Sequence, residues 1–515
     1  MLKKLKTKNN LIFLLLVIIL SIPSIFGLIH SGFPQTDDGN WMVIRFSAFY
    51  EVLRSGEFPV RFLTRLNNGF GYPVADFLYP LFMYFGTPIH ILGASFTETI
   101  KIIFALSLIS SAIFSFLWLK RIFDQMSSLV GSILYLFFPY HLFDTYTRGS
   151  LGEVLALSIL PFILWQLERK SLFFASIGIF LLILSHNTLA LLFLPLILIY
   201  SILRNKEQIK LTIISLIFGV GMSLFFSIPA VYDLQYTVFN KTKVADLNLY
   251  FIDFITIKLL GFGFILLLLH SVLWLIKNKK TKFIFAVFIL LLLVFLNLSF
   301  SKQIWFILPF TNLIQFPFRL ISVLIPLSAF MAAFLISKTK DYKKIGIVVL
   351  YLVLIFFSSK NYLFSDKYQY FDESFYSTNQ DTTTVKKEYM PKWVKDNSLS
   401  YNPSRVVNLN GQETINIEKV TAREIVFNTY LTTKREIRVN TVYFPGWNVY
   451  INGVKSVINF EKAGFIQFDL NKGDNKVKVV FEETNIRILS DILSIISISL
   501  LFLVVYLRKY KKIKI

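Results

Sequence analysis

Long apolar runs broken by short polar loops dominate the first 359 residues. A helix needs about 20 apolar residues to cross a bilayer. By that measure the chain predicts spans near 11–29, 98–118, 127–145, 153–167, 171–185, 188–203, 211–231, 254–276, 283–300, 318–336, 345–359 and 488–507. The stretch YPLFMYFGTPIHILGA at 79–94 is apolar but short, with a Gly-Thr-Pro break, and predicts a re-entrant or interfacial element. The first run follows a basic N-terminus as a signal peptide would. It is long and shows no small-residue cleavage site, so a retained helix is expected.

Beyond residue 360 the pattern changes. Residues 360–403 are polar and predict a linker or lid, while 404–487 alternate as strands do in EIVFNTYL, EIRVNTVYF, WNVYING, FIQFDL and KVKVVFEE. Asn452-Gly453 is a hairpin signal. Several short strands without a helical period predict a small all-β sandwich or jelly-roll. The domain reading is therefore a transmembrane domain at 1–359 with a first outer loop at 30–97, a linker at 360–403, a β domain at 404–487, and a final membrane helix with a basic tail at 488–515. Tyr443, Trp447 and Tyr450 are either glycan-facing or core, and alternation favours core.

Composition agrees with an α-helical polytopic membrane protein of about twelve spans. Hydrophobic residues make up 55% of the 515, and Phe alone numbers 55. The net charge of +22 would suit nucleic acid, but the basic residues cluster in short loops: Lys3–Lys8, Lys120–Arg121, Arg169–Lys170, Arg204–Lys210, Lys277–Lys282, Lys338–Lys344 and Arg508–Lys514. That is the pattern left by retention of Lys and Arg on the cytoplasmic side. It predicts a multi-pass protein of the plasma (cytoplasmic) membrane with both termini inside, the β domain outside, and no nucleic-acid partner. Without cysteine there are no disulfides, thiolate nucleophiles or Cys-ligated metals. Neither a GxxxxGK[ST] loop nor a GxSxG elbow is present.

On this topology the candidate chemistry gathers at the outer face. Asp37 and Asp38 follow the first span directly. Two adjacent acids there can serve as a general base for an acceptor, can hold a divalent metal such as Mg²⁺ or Mn²⁺, or can simply cap the helix that follows. Arg148, in TRGSLGE at 147–153, and Arg319, in IQFPFRL, suit a phosphate, because a guanidinium stays charged and matches phosphate oxygens. Glu153 is equally a structural partner for Arg148 or a ligand contact. His186-Asn187 interrupts an apolar run, as a turn or as a donor-phosphate or acid/base pair. Arg61 and Asp76 add structural or substrate-binding candidates in the first loop.

Taken in order, TDDGNW, SGEFPVRF, NNGFGYPVADFLYPL, TRGSLGE, LSHNTLALLFLP and IQFPFRL resemble the bacterial membrane proteins called 6-pyruvoyl-tetrahydropterin synthase related. Those are similar in layout to the GT-C superfamily of membrane glycosyltransferases, and YFPGWNVYING resembles the outer domain of YfhO-type membrane proteins. The resemblance implies a GT-C-like transmembrane fold and a polyprenyl-phosphate sugar as donor. A cell-envelope glycan or lipid would be the acceptor. It also implies a catalytic acid in the first outer loop, at Asp37 or Asp38, with Arg148 and Arg319 toward the lipid phosphate. The paired acids of metal-dependent members are half matched, since a second acid motif would have to come from Asp144, Glu153 or Asp233. The alternative is a transporter or flippase, or a non-catalytic scaffold, for lipid-linked envelope glycans. A transporter should show inverted repeats and mid-membrane charges, and none are evident.

Overall fold

Nine helices are long and apolar enough to cross a membrane, or eleven if two bent pairs each count as one span. This holds for the residues that the computed structural model describes: 2–239, 250–251, 253–278, 280–307, 314–382, 387–395 and 404–510. The expectation of about twelve spans thus meets nine to eleven among the described residues. The run at 171–185 forms Leu172–Ser185, a helix of 14 residues, about 21 Å long at 1.5 Å per residue. That falls short of the roughly 30 Å hydrocarbon core. The runs at 211–231 and 283–300 each break, bending by 66° and 90°. Hydropathy counts apolar residues but does not see the turns at Ser223 and Leu296–Leu298. Residues 79–94 contain Leu81–Ile91, 11 residues with Pro88 inside, again too short to cross. Residues 240–249 of the outer loop expected at 232–253, residues 308–313, and Lys511–Lys514 of the tail lie outside the described residues.

Between the helices, small hydroxyl residues sit where backbones approach. Ser111, Ser115, Ser176 and Ser215 are fully buried, and each hydroxyl donates to a carbonyl one turn back at 2.6–2.9 Å. Without water, such internal satisfaction is how polar groups are kept in a membrane bundle. Four of the basic loops, at 120–121, 169–170, 204–210 and 338–344, meet at one end of the bundle. There Lys344 pairs with Asp124 at 2.8 Å, Arg204 with Glu168 at 2.8 Å and Lys170 with Glu207 at 2.7 Å.

The opposite end carries ten short strands. β1 (Phe33–Pro34) pairs with β2 (Tyr368–Gln369), joining the segment after the first span to the region after residue 360. The rest form two antiparallel sheets from β3 (Val406–Asn408), β4 (Asn416–Val420), β5 (Glu424–Leu431), β6 (Arg435–Val442), β7 (Trp447–Ile451), β8 (Val454–Ser456), β9 (Phe465–Leu470) and β10 (Gly473–Phe481). Their orders are β4-β5-β10-β7-β8 and β3-β6-β9. The β7–β8 hairpin turns on Asn452 and Gly453 at φ 51° and 85°, the left-handed pair that such a turn requires. Inward-facing residues such as Phe427, Val449, Phe468 and Val477 are fully buried.

Two residues from the first loop complete that core. Phe62 and Phe77 are buried among the β residues, and the Phe62 ring meets Trp447 edge-on at 5.6 Å. Gly71, at φ +86°, lies where any β-carbon would strike the Phe62 ring. Trp447 is core, Tyr450 donates to Glu482 at 3.0 Å, and Tyr443 stacks on Phe460 at 4.1 Å. The described part of 360–403 packs down as well. Tyr376 is fully buried and donates to Asn40 at 3.0 Å, while the Arg65 guanidinium gathers the carbonyls of Tyr376, Ser377 and Asn379. The first loop, the strap after 360 and the β domain are thus one packed body at this end.

Candidate functional site

The helix Gly39–Arg54 begins at Asp38, but the carboxylate of Asp38 makes no capping bond. The Thr36 hydroxyl does that work, accepting from the Gly39 N–H at 3.0 Å. The capping reading of TDDGN therefore holds for Thr36 rather than for Asp38. Their main chain is fixed instead: the N–H of Asp37 donates to the Thr147 carbonyl at 3.0 Å, and that of Asp38 to the Arg148 carbonyl at 2.8 Å. Arg148 ends a π-helical turn, Asp144–Arg148, that closes on Gly149 at φ 68°. A β-carbon on Gly149 would collide with the Thr36 hydroxyl and stand 2.7 Å from the Gly39 nitrogen. TRGSLGE and TDDGN are therefore two halves of one contact.

Behind them lies a buried ionic cluster centred on Glu153. One of its oxygens accepts from Arg148 Nη1 at 2.8 Å and from Arg319 Nε at 2.8 Å, and the other from the Tyr140 hydroxyl at 3.2 Å. Arg148 Nη1 also donates to Asp144 at 2.6 Å. Arg319 Nη1 donates to the Ile314 carbonyl and to Gln315 at 2.8 and 3.1 Å. His186 Nδ1 accepts from the Leu189 N–H at 3.2 Å, which puts the ring proton on Nε2, 3.8 Å from Glu153. Phe316 and Phe318 wall the two guanidinium groups, with centroids 5.1 Å from Arg319 and Arg148 respectively. Two arginines against Asp144 and Glu153 leave the cluster close to neutral.

Asp37 is solvent-facing, and partial burial together with the Asp38 charge holds its carboxyl above the usual range, with Arg148 opposing. Glu388, on the strap, senses Arg45 and Asp38; burial raises its carboxyl against the pull of Arg45. Among the described residues no three His, Cys, Asp or Glu come together as a metal cage. Asp37 and Asp38 are adjacent in the chain, and Mg²⁺ takes one or two carboxylates from protein when substrate phosphates complete its shell.

Of the residues singled out in the sequence, Asp37, Asp38, Arg148, Glu153, His186 and Arg319 come together here. Asn187 is adjacent but turned to the first loop, donating to the Phe77 carbonyl at 3.0 Å. Arg61 and Asp76 belong to a different network. Arg61 meets Asp76 at 3.6 Å, Glu483 at 3.2 Å and Asp491 at 3.4 Å. Arg487 in turn bridges Asp76 at 3.5 Å and Asp233 at 2.9 Å. Sequence reasoning passed over Tyr140, Glu388 and Arg487. Only Arg487 carried a signal, a cation just inside an apolar helix.

The family model described as "6-pyruvoyl-tetrahydropterin synthase related domain; membrane protein" matches residues 76–371. An uncharacterised protein of Lactococcus lactis subsp. cremoris is 23% identical over 257 residues, covering 46% of this chain and 42% of that protein. Among solved structures, the mycobacterial arabinofuranosyltransferase AftD is similar with a TM-score of 0.45 and 15% identity, covering 67% of this chain and 27% of that one. The Archaeoglobus fulgidus oligosaccharyltransferase gives 0.45 and 11%, over 70% and 56% of the two chains. ArnT of Cupriavidus metallidurans bound to undecaprenyl phosphate gives 0.43 and 12%, over 68% and 63%. The chain thus spans less than two thirds of each of these proteins. With more than half its length matched by the family model, the chain belongs to the 6-pyruvoyl-tetrahydropterin synthase related membrane proteins.

Proposed function

We propose that this protein is a membrane glycosyltransferase of GT-C type. It moves a sugar from a polyprenyl-phosphate donor to a cell-envelope glycan or lipid at the membrane face that carries the β domain. The basic end of the bundle then faces the cytoplasm, as the positive-inside rule requires. One observation carries the reading: the main chain of two adjacent acids, Asp37 and Asp38, is pinned to the turn that bears Arg148.

The reaction is a single displacement. The acceptor hydroxyl gives its proton to Asp37 or Asp38 as its oxygen attacks the anomeric carbon. The bond from that carbon to the phosphate oxygen breaks, and polyprenyl phosphate leaves with the electron pair. A carboxylate within hydrogen-bond reach supplies the base. Arg148 and Arg319 would supply the guanidinium donors for the charge that develops on the phosphate. Glu153, Asp144 and Tyr140 hold those guanidiniums still, so little reorganisation is needed during reaction. Where a divalent metal takes part, Asp37 and Asp38 would hold it, and it would neutralise phosphate charge.

The test is sugar transfer from a panel of radiolabelled polyprenyl-phosphate sugars by purified protein in lipid, comparing wild type with Asp37→Asn and Asp38→Asn. Turnover abolished in one variant with unchanged thermal unfolding identifies the base. Wild-type protein that binds donors saturably yet transfers none of them would contradict the transferase reading.

A further inference from the structure

A cavity of about 420 Å³ opens well away from the Glu153 cluster, where the β domain meets the last membrane helix. Tyr232, Asp233 and Tyr236 line one side, and Pro445, Thr484, Asn485 and Leu489 the other. Its volume falls in the range of small-molecule sites, roughly 300–1,000 Å³. Three features set its chemistry.

The first is a file of aromatic rings leading out of it. Tyr232 and Tyr236 lie 6.2 Å apart, Tyr236 and Trp393 6.0 Å, Trp393 and Phe460 4.9 Å, and Phe460 and Tyr443 4.1 Å. The file is held in place by the main chain, the Lys392 N–H donating to the Tyr236 carbonyl at 2.8 Å and the Val238 N–H to that of Met390 at 3.0 Å. Tyr232, Tyr236 and Trp393 keep part of their ring surface exposed for flat, C–H-rich units, while Phe460 and Tyr443 stack on each other and close the file.

The second is polar capacity without an internal use. The buried Thr484 hydroxyl has no hydrogen-bond partner, and Asn485 is exposed at the rim. Asp233 is held beside them by Arg487, whose Nε and Nη2 donate to it at 3.1 and 2.9 Å. A buried polar atom left unpaired costs stability, so its presence at a cavity wall marks a place for a ligand group. Rings for apolar faces, with a hydroxyl and an amide between them, match a saccharide, while Asp233 stays committed to Arg487.

The third is the way the cavity meets the membrane. Leu489, at 51% exposure, lines it, and Ile488 and Ile492 beside it are 46% and 48% exposed on the last membrane helix. A ligand with an apolar tail can lie along this face while its polar head enters the cavity.

We infer that the cavity binds the saccharide headgroup of a membrane glycolipid, with the sugar units running from Tyr232 and Tyr236 toward Trp393 and the lipid chains lying against Leu489. No residue of the Asp37–Asp38 site lines it, so the inference stands without the transfer reaction.

The experiment places the full chain in phosphatidylglycerol nanodiscs doped with diglucosyldiacylglycerol, or with the same diacylglycerol lacking sugar, and measures retained lipid by native mass spectrometry. Wild type should retain the glycolipid in preference to the sugarless control. Tyr236→Ala should lower that retention about three- to tenfold, the size of one aromatic contact. Thr484→Val, which keeps the side-chain shape, should lower it with unfolding unchanged and so covers the case in which Tyr236→Ala does not fold. Free glucosyl disaccharide should compete weakly. Equal retention of the two lipids, or unchanged retention in both variants, overturns the site. Free disaccharide binding as tightly as the glycolipid overturns the membrane-anchored part of the assignment.

Discussion

The main-chain N–H of Asp38 donates to the carbonyl of Arg148 at 2.8 Å, joining residues 110 positions apart in the chain. This bond and its neighbour from Asp37 fix the height of two carboxylates against the guanidinium of Arg148. The arrangement depends on Gly149, whose φ of +68° and missing β-carbon let the turn lie against Thr36. Gly149→Ala should therefore unfold at lower denaturant. The left-handed backbone alone costs about 1–2 kcal/mol, and the collision with Thr36 adds to it. Sugar transfer should fall further than stability does, since the displaced segment carries Asp37 and Asp38. Equal denaturation midpoints for variant and wild type would show that the two turns are not in contact.

Glu153 is the shared acceptor for Arg148, Arg319 and Tyr140, and it is fully buried. Removing one member of a buried ionic cluster strands the others, at a typical cost of about 3–5 kcal/mol. Glu153→Leu should show a loss of that order in chemical unfolding, in detergent, with Arg319 left on the Ile314 carbonyl and Gln315 alone. A loss below about 1 kcal/mol would mean that Glu153 contributes little beyond what those partners give. Glu153→Gln, which keeps the shape and half the acceptor capacity, should fall between the two.

Much of this was legible in the sequence, and the exceptions share a physical cause. Apolar runs located the nine long helices among the described residues, because hydropathy is a local property of the chain, but they also passed over the breaks at Ser223 and Leu296–Leu298 and took in the short helix Leu172–Ser185. Strand alternation and Asn452-Gly453 located the β domain for the same reason. Local pattern also brought Asp38, Arg148 and Arg319 into consideration, as ionisable residues at the ends of apolar runs. It did not show that Thr36 rather than Asp38 caps the helix, because both residue types suit that position. Nor did it separate Arg61 and Asp76 from the other candidates. Their partners, Glu483, Arg487 and Asp491, lie more than 400 residues away, and a single sequence carries no trace of such pairing. Phe62 is the same case: one Phe among 55, with nothing local to say that it enters a β core.

That insertion gives a third prediction. Phe62 contacts Phe444, Trp447 and Phe481 at centroid distances of 6.4, 5.6 and 5.7 Å. Phe62→Ala would leave a cavity beneath the five-stranded sheet, costing about 3–5 kcal/mol. Because the residue belongs to the first loop, the cost should appear as undocking of that loop from the β domain. Hydrogen exchange should rise in 62–77 and in the strands Trp447–Ile451 and Gly473–Phe481, while the membrane helices stay protected. A uniform rise across the whole chain would instead mean that the two bodies unfold together.

The fourth concerns pH. Burial pushes the Glu57 carboxyl from its ordinary 4.5 up to about 7; the Glu483 charge raises it further, while the Arg61 N–H and the Arg423 charge pull it down. One of its buried oxygens accepts from that N–H at 2.9 Å and the other has no partner. The folded state therefore holds this proton more tightly than the unfolded chain does. The resulting stability is fully present below pH 4.5, declines as pH rises through the window to about 7, and is absent above it. A rise of this size is worth roughly 3 kcal/mol. Glu57→Gln is always neutral and should keep that stability at high pH. Thermal unfolding followed from pH 4.5 to 8 should show the wild type losing ground to Glu57→Gln across the window, with the two converging at its acid end. Parallel curves would mean that Glu57 reaches water in the folded protein and titrates as an ordinary glutamate.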